Sequence, residues 1–161
     1  MVFTGEYEHS IDAKNRLAIP SEVRHRILGS VPGGKKSGLR FYVTLGEGQA
    51  LCLYTEQGFQ EQADALRNCD GDPDEILAFE SLWFSLARLV EVDSAGRVRL
   101  PESLLRRAGL GTSVVLLGMN DHLEIRDRET WSTYVNQMLT GQGQHLMNPR
   151  RARRKRPGHD P

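Results

Sequence analysis

Glu8-His9-Ser10-Ile11-Asp12-Ala13-Lys14-Asn15-Arg16-Leu17-Ala18-Ile19-Pro20 returns later in the chain as Val90-Glu91-Val92-Asp93-Ser94-Ala95-Gly96-Arg97-Val98-Arg99-Leu100-Pro101. With Asp12 placed on Asp93 the offset is 81; Asp, Arg and Pro coincide, and apolar residues match at 17/98 and 19/100. Downstream, Leu51-Cys52-Leu53 lies over Leu123-Glu124-Ile125, and Phe59 over Trp131, at an offset of 72. The difference falls in the Gly-, Lys- and Ser-rich stretch 29–40, which reads as a surface insertion. Two equivalent halves follow, and the repeat governs the fold.

Each half reads as strand, tight turn, strand, short helix, hairpin, helix. Residues 16–19 and 97–100 alternate polar and apolar with a period of two, as half-buried strands do. The residue before each, Asn15 or Gly96, tolerates the positive φ of a turn, so a hairpin is expected to close there. Pro20 and Pro101 end these strands and suit the first turn of a helix, which predicts helices over 21–28 and 102–108, the second stopped by Gly109. Residues 41–45 and 50–54, joined through Gly46-Glu47-Gly48, form a second hairpin that is echoed by 113–117 and 122–126 around Asn120-Asp121.

Between the halves, Asp72-Pro73-Asp74-Glu75 is a strong helix start. Ile76, Phe79, Leu82, Trp83 and Leu86 then recur at three and four residues, so this helix is expected to bury one face. Trp83 and Phe84 are adjacent and point to different sides, which offers one of them to a neighbouring subunit. The resulting division is a first β-rich half over 6–56, linker helices over 57–86, a second half over 87–130, a terminal helix over 131–140 and a disordered basic tail over 141–161.

The chain has 161 residues, 39% of them hydrophobic, enough for one sizeable core or two small ones. No apolar run approaches the roughly 20 residues that span a bilayer, and residues 1–8 lack the basic and apolar segments of a signal peptide, so a cytoplasmic protein is expected. Basic and acidic residues balance at 21 each, but the tail holds Arg150, Arg151, Arg153, Arg154, Lys155 and Arg156 against Asp160 alone, a balance of +5 that leaves −5 for residues 1–140. A mildly acidic body can bind nucleic acid only through a few well-placed cations.

Neither Cys52 nor Cys69 lies in a Cys-x-x-Cys pattern, and His9, His25, His122, His145 and His159 show no ligand spacing, so no metal site and no cofactor are expected. No nucleophile elbow, phosphate-binding glycine loop or paired acidic motif is present, and the chain reads as a non-enzyme without a small-molecule substrate. The chemistry common to both halves is Asp-x-x-[Asn/Gly]-Arg on a turn: Asp12, Asn15 and Arg16, then Asp93, Gly96 and Arg97. An arginine on a rigid turn can fork onto a guanine edge or a phosphate, with the aspartate holding it in place. One such pair is an ordinary surface ion pair worth about 0 to 1 kcal/mol. Two, related by an approximate two-fold, would present both arginines on one face, as a pseudo-dimer that reads DNA requires.

These paired motifs, with Gly5 to Pro20 and Val92 to Pro101, resemble the MraZ family of transcription regulators, whose hallmark is two Asp-x-x-Gly-Arg motifs in tandem AbrB-like domains. The resemblance covers residues 1 to about 140. It departs at Asn15, where the family has Gly, at the 29–40 insertion and at the basic tail. What it implies is an α+β fold: two AbrB-like swapped-hairpin halves forming a pseudo-two-fold β-barrel with flanking helices. It further implies a DNA-binding autorepressor of the division and cell-wall gene cluster, acting at short G-rich direct repeats as a nucleoid-associated ring of subunits. Carried over by position, Arg16 and Arg97 contact DNA, Lys14 and Arg99 serve as phosphate partners, and Asp12, Asn15, Asp93 and Gly96 support the turns. An AbrB-like interaction module, antitoxin-like or regulating a partner enzyme, is the competing reading, and it would leave Arg16 and Arg97 dispensable.

Overall fold

Both repeated segments form strands around a tight turn, but the strands flanking each turn pair with the opposite half. In the computed structural model, which describes residues 1–30 and 38–141, the first half contributes β1 (Glu6–Ser10), β2 (Arg16–Ala18), α1 (Ser21–Ser30), β3 (Arg40–Leu45) and β4 (Leu51–Thr55). After α2 (Glu56–Arg67) and α3 (Pro73–Leu86), the second half gives β5 (Arg88–Glu91), β6 (Arg97–Arg99), α4 (Glu102–Ala108), β7 (Ser113–Gly118) and β8 (Leu123–Asp127), followed by α5 (Arg128–Thr140). Residues 31–37 of the expected insertion and 142–161 of the expected disordered tail lie outside the described residues.

The fold is α+β, and every strand pair is antiparallel. Six strands run in the order β1-β7-β8-β4-β3-β5, and β2 pairs with β6 in a separate two-stranded ribbon. The pairing is symmetric under exchange of the halves. Strand β1 adds to β7 of the second half, as β5 adds to β3 of the first, while β4–β8 and β2–β6 join equivalent strands. The expected local hairpin is therefore a turn without a ladder of its own: Asn15 N donates to Asp12 O and Asp12 N to Arg16 O, but the flanking strands diverge to the other half. Strand exchange leaves neither half with a complete sheet alone. The six-stranded ladder is open, with β1 and β5 as its edges, where a barrel was expected.

The alternation of β2 and β6 aims Leu17 and Val98, both 0% exposed and directly opposite each other, into the main core with Phe41, Leu53, Leu116 and Ile125. A fully buried aliphatic or aromatic side chain of this kind contributes about 1.5–3 kcal/mol. Helix ends follow the local chemistry. Asp72 caps α3 by accepting from Asp74 N and Glu75 N, with Pro73 in the first turn. Gly109, in the left-handed conformation at φ 62°, stops α4 where the sequence predicts it.

Helix α3 departs from expectation. Of its apolar stripe only Trp83 is buried, against Tyr54 and Phe59, while Phe79 is 47% and Leu82 65% exposed. The helix lies against β3, Leu86 packs partly on the main core and Phe79 stacks on Trp83, so the outer part of its apolar face stays open among the described residues. Phe84, on the other side, packs edge-on against Phe59. Residues Met1–Arg128 form one compact unit and a second begins at Glu129, within α5, where Trp131 and Tyr134 lie 5.5 Å apart by ring centroid.

Candidate nucleic-acid interface

The two Asp–Arg turns share one hydrogen-bond scheme. Asp12 Oδ1 accepts from Lys14 N at 2.8 Å and Arg16 N at 2.9 Å, while Asp12 Oδ2 accepts from Arg16 Nε at 2.7 Å. Asp93 Oδ1 accepts from Ala95 N and Arg97 N, both at 2.9 Å, and its Oδ2 from Arg97 Nε at 3.2 Å. Each aspartate thus folds the turn with one oxygen and orients the arginine with the other. The Arg16 N–H lowers the Asp12 carboxyl below its ordinary value, and the Arg97 N–H does the same for Asp93; the paired guanidinium groups add to both shifts.

The geometry between the motif's Asp and Arg demands a left-handed residue. Asn15 adopts φ 59° and Gly96 φ 78°, so Asn15 takes in the first turn the conformation that Gly96 takes in the second. Each turn is also bonded to the residue that follows the short strand of the other half. Ile19 N donates to Gly96 O at 2.9 Å and Leu100 N to Asn15 O at 2.8 Å, two bonds that the offset of 81 maps onto one another.

This places every expected site residue together. In the β2–β6 ribbon Arg16 stands opposite Arg99 and Ala18 opposite Arg97. Leu17 and Val98 occupy the inward face, so period-two alternation puts Arg16, Arg97 and Arg99 on the outward one. Arg16 and Arg97 keep side-chain exposures of 30% and 35%, and Arg99 is exposed, as is Lys14 on its turn. Only Nε of Arg16 is engaged among the described residues, which leaves its terminal nitrogens as donors.

Arg24 belongs to the same surface and was not foreseen. Its Nε donates to Ile19 O at 3.0 Å, and its guanidinium covers Gly96, where an added Cβ would lie 2.6 Å from Cζ. The offset of 81 sets Arg24 over Leu105, so no repeat signal marks it. The histidines likewise carry no linear ligand spacing, yet His122 meets Cys52 and Glu124 at the β4–β8 pair.

The family model described as "MraZ protein, putative antitoxin-like" matches this chain twice, over residues 2–75 and 83–146. The chain belongs to the MraZ family. A Moorella thermoacetica protein named Transcriptional regulator MraZ is 34% identical over 136 residues, 84% of this chain and 88% of its own. Proteins of the same name from Mesoplasma florum and Acetivibrio thermocellus are 33% and 32% identical, over 84% and 83% of this chain and 87% and 86% of theirs. Each of the two matched stretches contains one of the Asp–Arg turns. Among the described residues no helix is long and apolar enough to cross a membrane.

Proposed function

We propose that this protein is a sequence-specific DNA-binding transcription regulator whose outward β2–β6 face is its reading head. The observation that carries this reading is the ribbon itself: three arginines on one face of two antiparallel strands at the junction of the halves. A two-stranded ribbon fits the major groove, where a free guanidinium edge can fork onto a guanine. Arg16 and Arg97 read bases, each braced by its aspartate. Lys14, Arg99 and Arg24 contact phosphates around them. Asp12, Asn15, Asp93 and Gly96 hold the two turns in shape. The relatives' names are those of transcriptional regulators, which supports the same class.

The finer reading is an autorepressor of the division and cell-wall gene cluster that binds short G-rich direct repeats as a nucleoid-associated ring. One ribbon with few cations binds weakly, and several copies on spaced repeats multiply weak contacts through effective concentration. The uncovered Phe79 and Leu82 on α3 favour association of copies, since an exposed apolar strip of this kind seeks a partner surface. In this scheme residues 6–56 and 87–130 are the two AbrB-like halves, closed into a pseudo-two-fold barrel by their side chains. Residues 57–86 link them, 131–140 form the terminal helix, and 141–161 add a basic tail with non-specific phosphate attraction.

The test is a titration of the full chain onto DNA from upstream of its own gene and onto scrambled DNA at two salt concentrations. Selective binding to the upstream DNA, lost in Arg16→Ala and Arg97→Ala at unchanged oligomer size, supports the reading. Equal, strongly salt-dependent binding to both DNAs that survives the substitutions assigns the affinity to the tail and favours the protein-partner reading.

A further inference from the structure

We propose that Cys52, His122 and Glu124 form a binding site for a zinc-class divalent metal ion, with a fourth coordination position open to the adjoining cavity. Cys52 and Glu124 are cross-strand partners in the β4–β8 pair, and His122 lies two residues before Glu124, on the same side of the sheet. Cys52 and Glu124 are also the residues that the repeat superimposes at an offset of 72. The seam between the halves thus brings equivalent positions together and fills them with unlike donors, one thiol and one carboxylate.

The donor geometry is close to what an ion needs. Cys52 Sγ lies 4.0 Å from Glu124 Oε1, His122 Nε2 lies 3.3 Å from that oxygen, and all three donor atoms fall within 4.8 Å of one another. A tetrahedral ion with bonds of about 2.0–2.3 Å separates its ligands by roughly 3.3–3.8 Å, so small side-chain rotations suffice. Thiol, imidazole and carboxylate together suit zinc and its neighbours better than calcium or magnesium.

The supporting groups are arranged as metal sites arrange them. Asp121 Oδ1 accepts from His122 Nδ1 at 2.8 Å, which turns Nε2 inward, toward Cys52 and Glu124. Arg126 Nε donates to Glu124 Oε2 at 2.6 Å and leaves Oε1 for the ion. Tyr54 stacks on the His122 ring at 4.7 Å and fixes its plane. Cys52 and Glu124 are 3% and 7% exposed, so water competes little. A cavity of about 580 Å³, lined by Thr44, Trp83 and Arg107, opens directly onto the three donors. On binding, the ion replaces the protons that the three groups now share. Cys52 binds as thiolate and His122 through a deprotonated Nε2, and the displaced protons pass to solvent.

The site lies apart from the ribbon, so its test is independent of DNA binding. Chelator-treated full-length protein is titrated with Co²⁺ and then Zn²⁺. The expected result is a near-ultraviolet thiolate-to-cobalt band that saturates at one ion per chain and is bleached by Zn²⁺. Cys52→Ser and His122→Gln abolish it, whereas Cys69→Ser and a His145→Gln/His159→Gln pair retain it. Zn²⁺ raises the melting temperature of the natural chain and not of His122→Gln. Absence of the band in the natural protein overturns the proposal without recourse to any variant. So does a band that survives Cys52→Ser, or one lost in Cys69→Ser.

Discussion

The two Asp–Arg turns are copies in backbone and differ in their surroundings. In the first, Asn15 bears the left-handed conformation itself, half-exposed, and Asp12 grips Arg16 Nε at 2.7 Å. In the second, Gly96 is buried beneath the Arg24 guanidinium, and the Asp93–Arg97 Nε contact lengthens to 3.2 Å. The repeat therefore preserves the backbone scaffold of each turn while the packing around it differs.

The largest expected effect comes from removing both proposed base-reading arginines. Each bidentate base contact is worth about 1–3 kcal/mol of discrimination, so Arg16→Ala with Arg97→Ala should lower the preference for upstream over scrambled DNA by about 30-fold or more, measured by fluorescence anisotropy. Next is Gly96→Ala. The added Cβ meets Arg24 and forces φ 78° on an L-residue, costing about 1–2 kcal/mol and several degrees of melting temperature in a calorimetric scan. Asn15→Gly, the mirror substitution, relieves strain and adds chain entropy, so its melting temperature should stay within a degree or two. Should both substitutions cost alike, the claimed difference between the turns disappears.

Much of this was legible because it is local. Asp72 capping α3, Gly109 stopping α4, the proline-ended strands and the Asp-x-x-[Asn/Gly]-Arg turns are all set by residues within four or five positions of one another. The exchange of β1 and β5 between halves is not local. Tyr7 pairs with Leu116 and Phe41 with Val90, and no short-range pattern distinguishes that from a hairpin closing on itself. Arg24 escaped for the same reason, since only folding carries α1 over the second turn. Cys52 and Glu124 lie 72 residues apart, and the repeat offset was the single signal that could have joined them. The stripe expected on α3 is buried at Trp83 and partly at Leu86 but not at Phe79 and Leu82, because periodicity shows that a face is apolar and not what covers it.

The smallest expected difference is in acid. Both carboxylates titrate below the ordinary aspartate value of 3.8, so each contributes stability above the unfolded pKa that is lost as the pH falls through its lower folded value. Carbon-13 chemical shifts of the Asp12 and Asp93 carboxyls should both move below pH 3.8, with Asp12, on the shorter contact, moving last. A shared midpoint would place the difference between the turns in Arg24 and Asn15 alone.

Whether the outward face of the β2–β6 ribbon reads base sequence is decided by comparing affinities for upstream and scrambled duplexes in Arg16→Ala, Arg97→Ala, their double variant and Arg99→Ala. The first two variants should collapse the ratio of the two affinities. Arg99→Ala should weaken both duplexes equally, preserve the ratio and reduce the salt slope by about 1. A ratio that persists when Arg16 and Arg97 are both removed would contradict base reading by the ribbon.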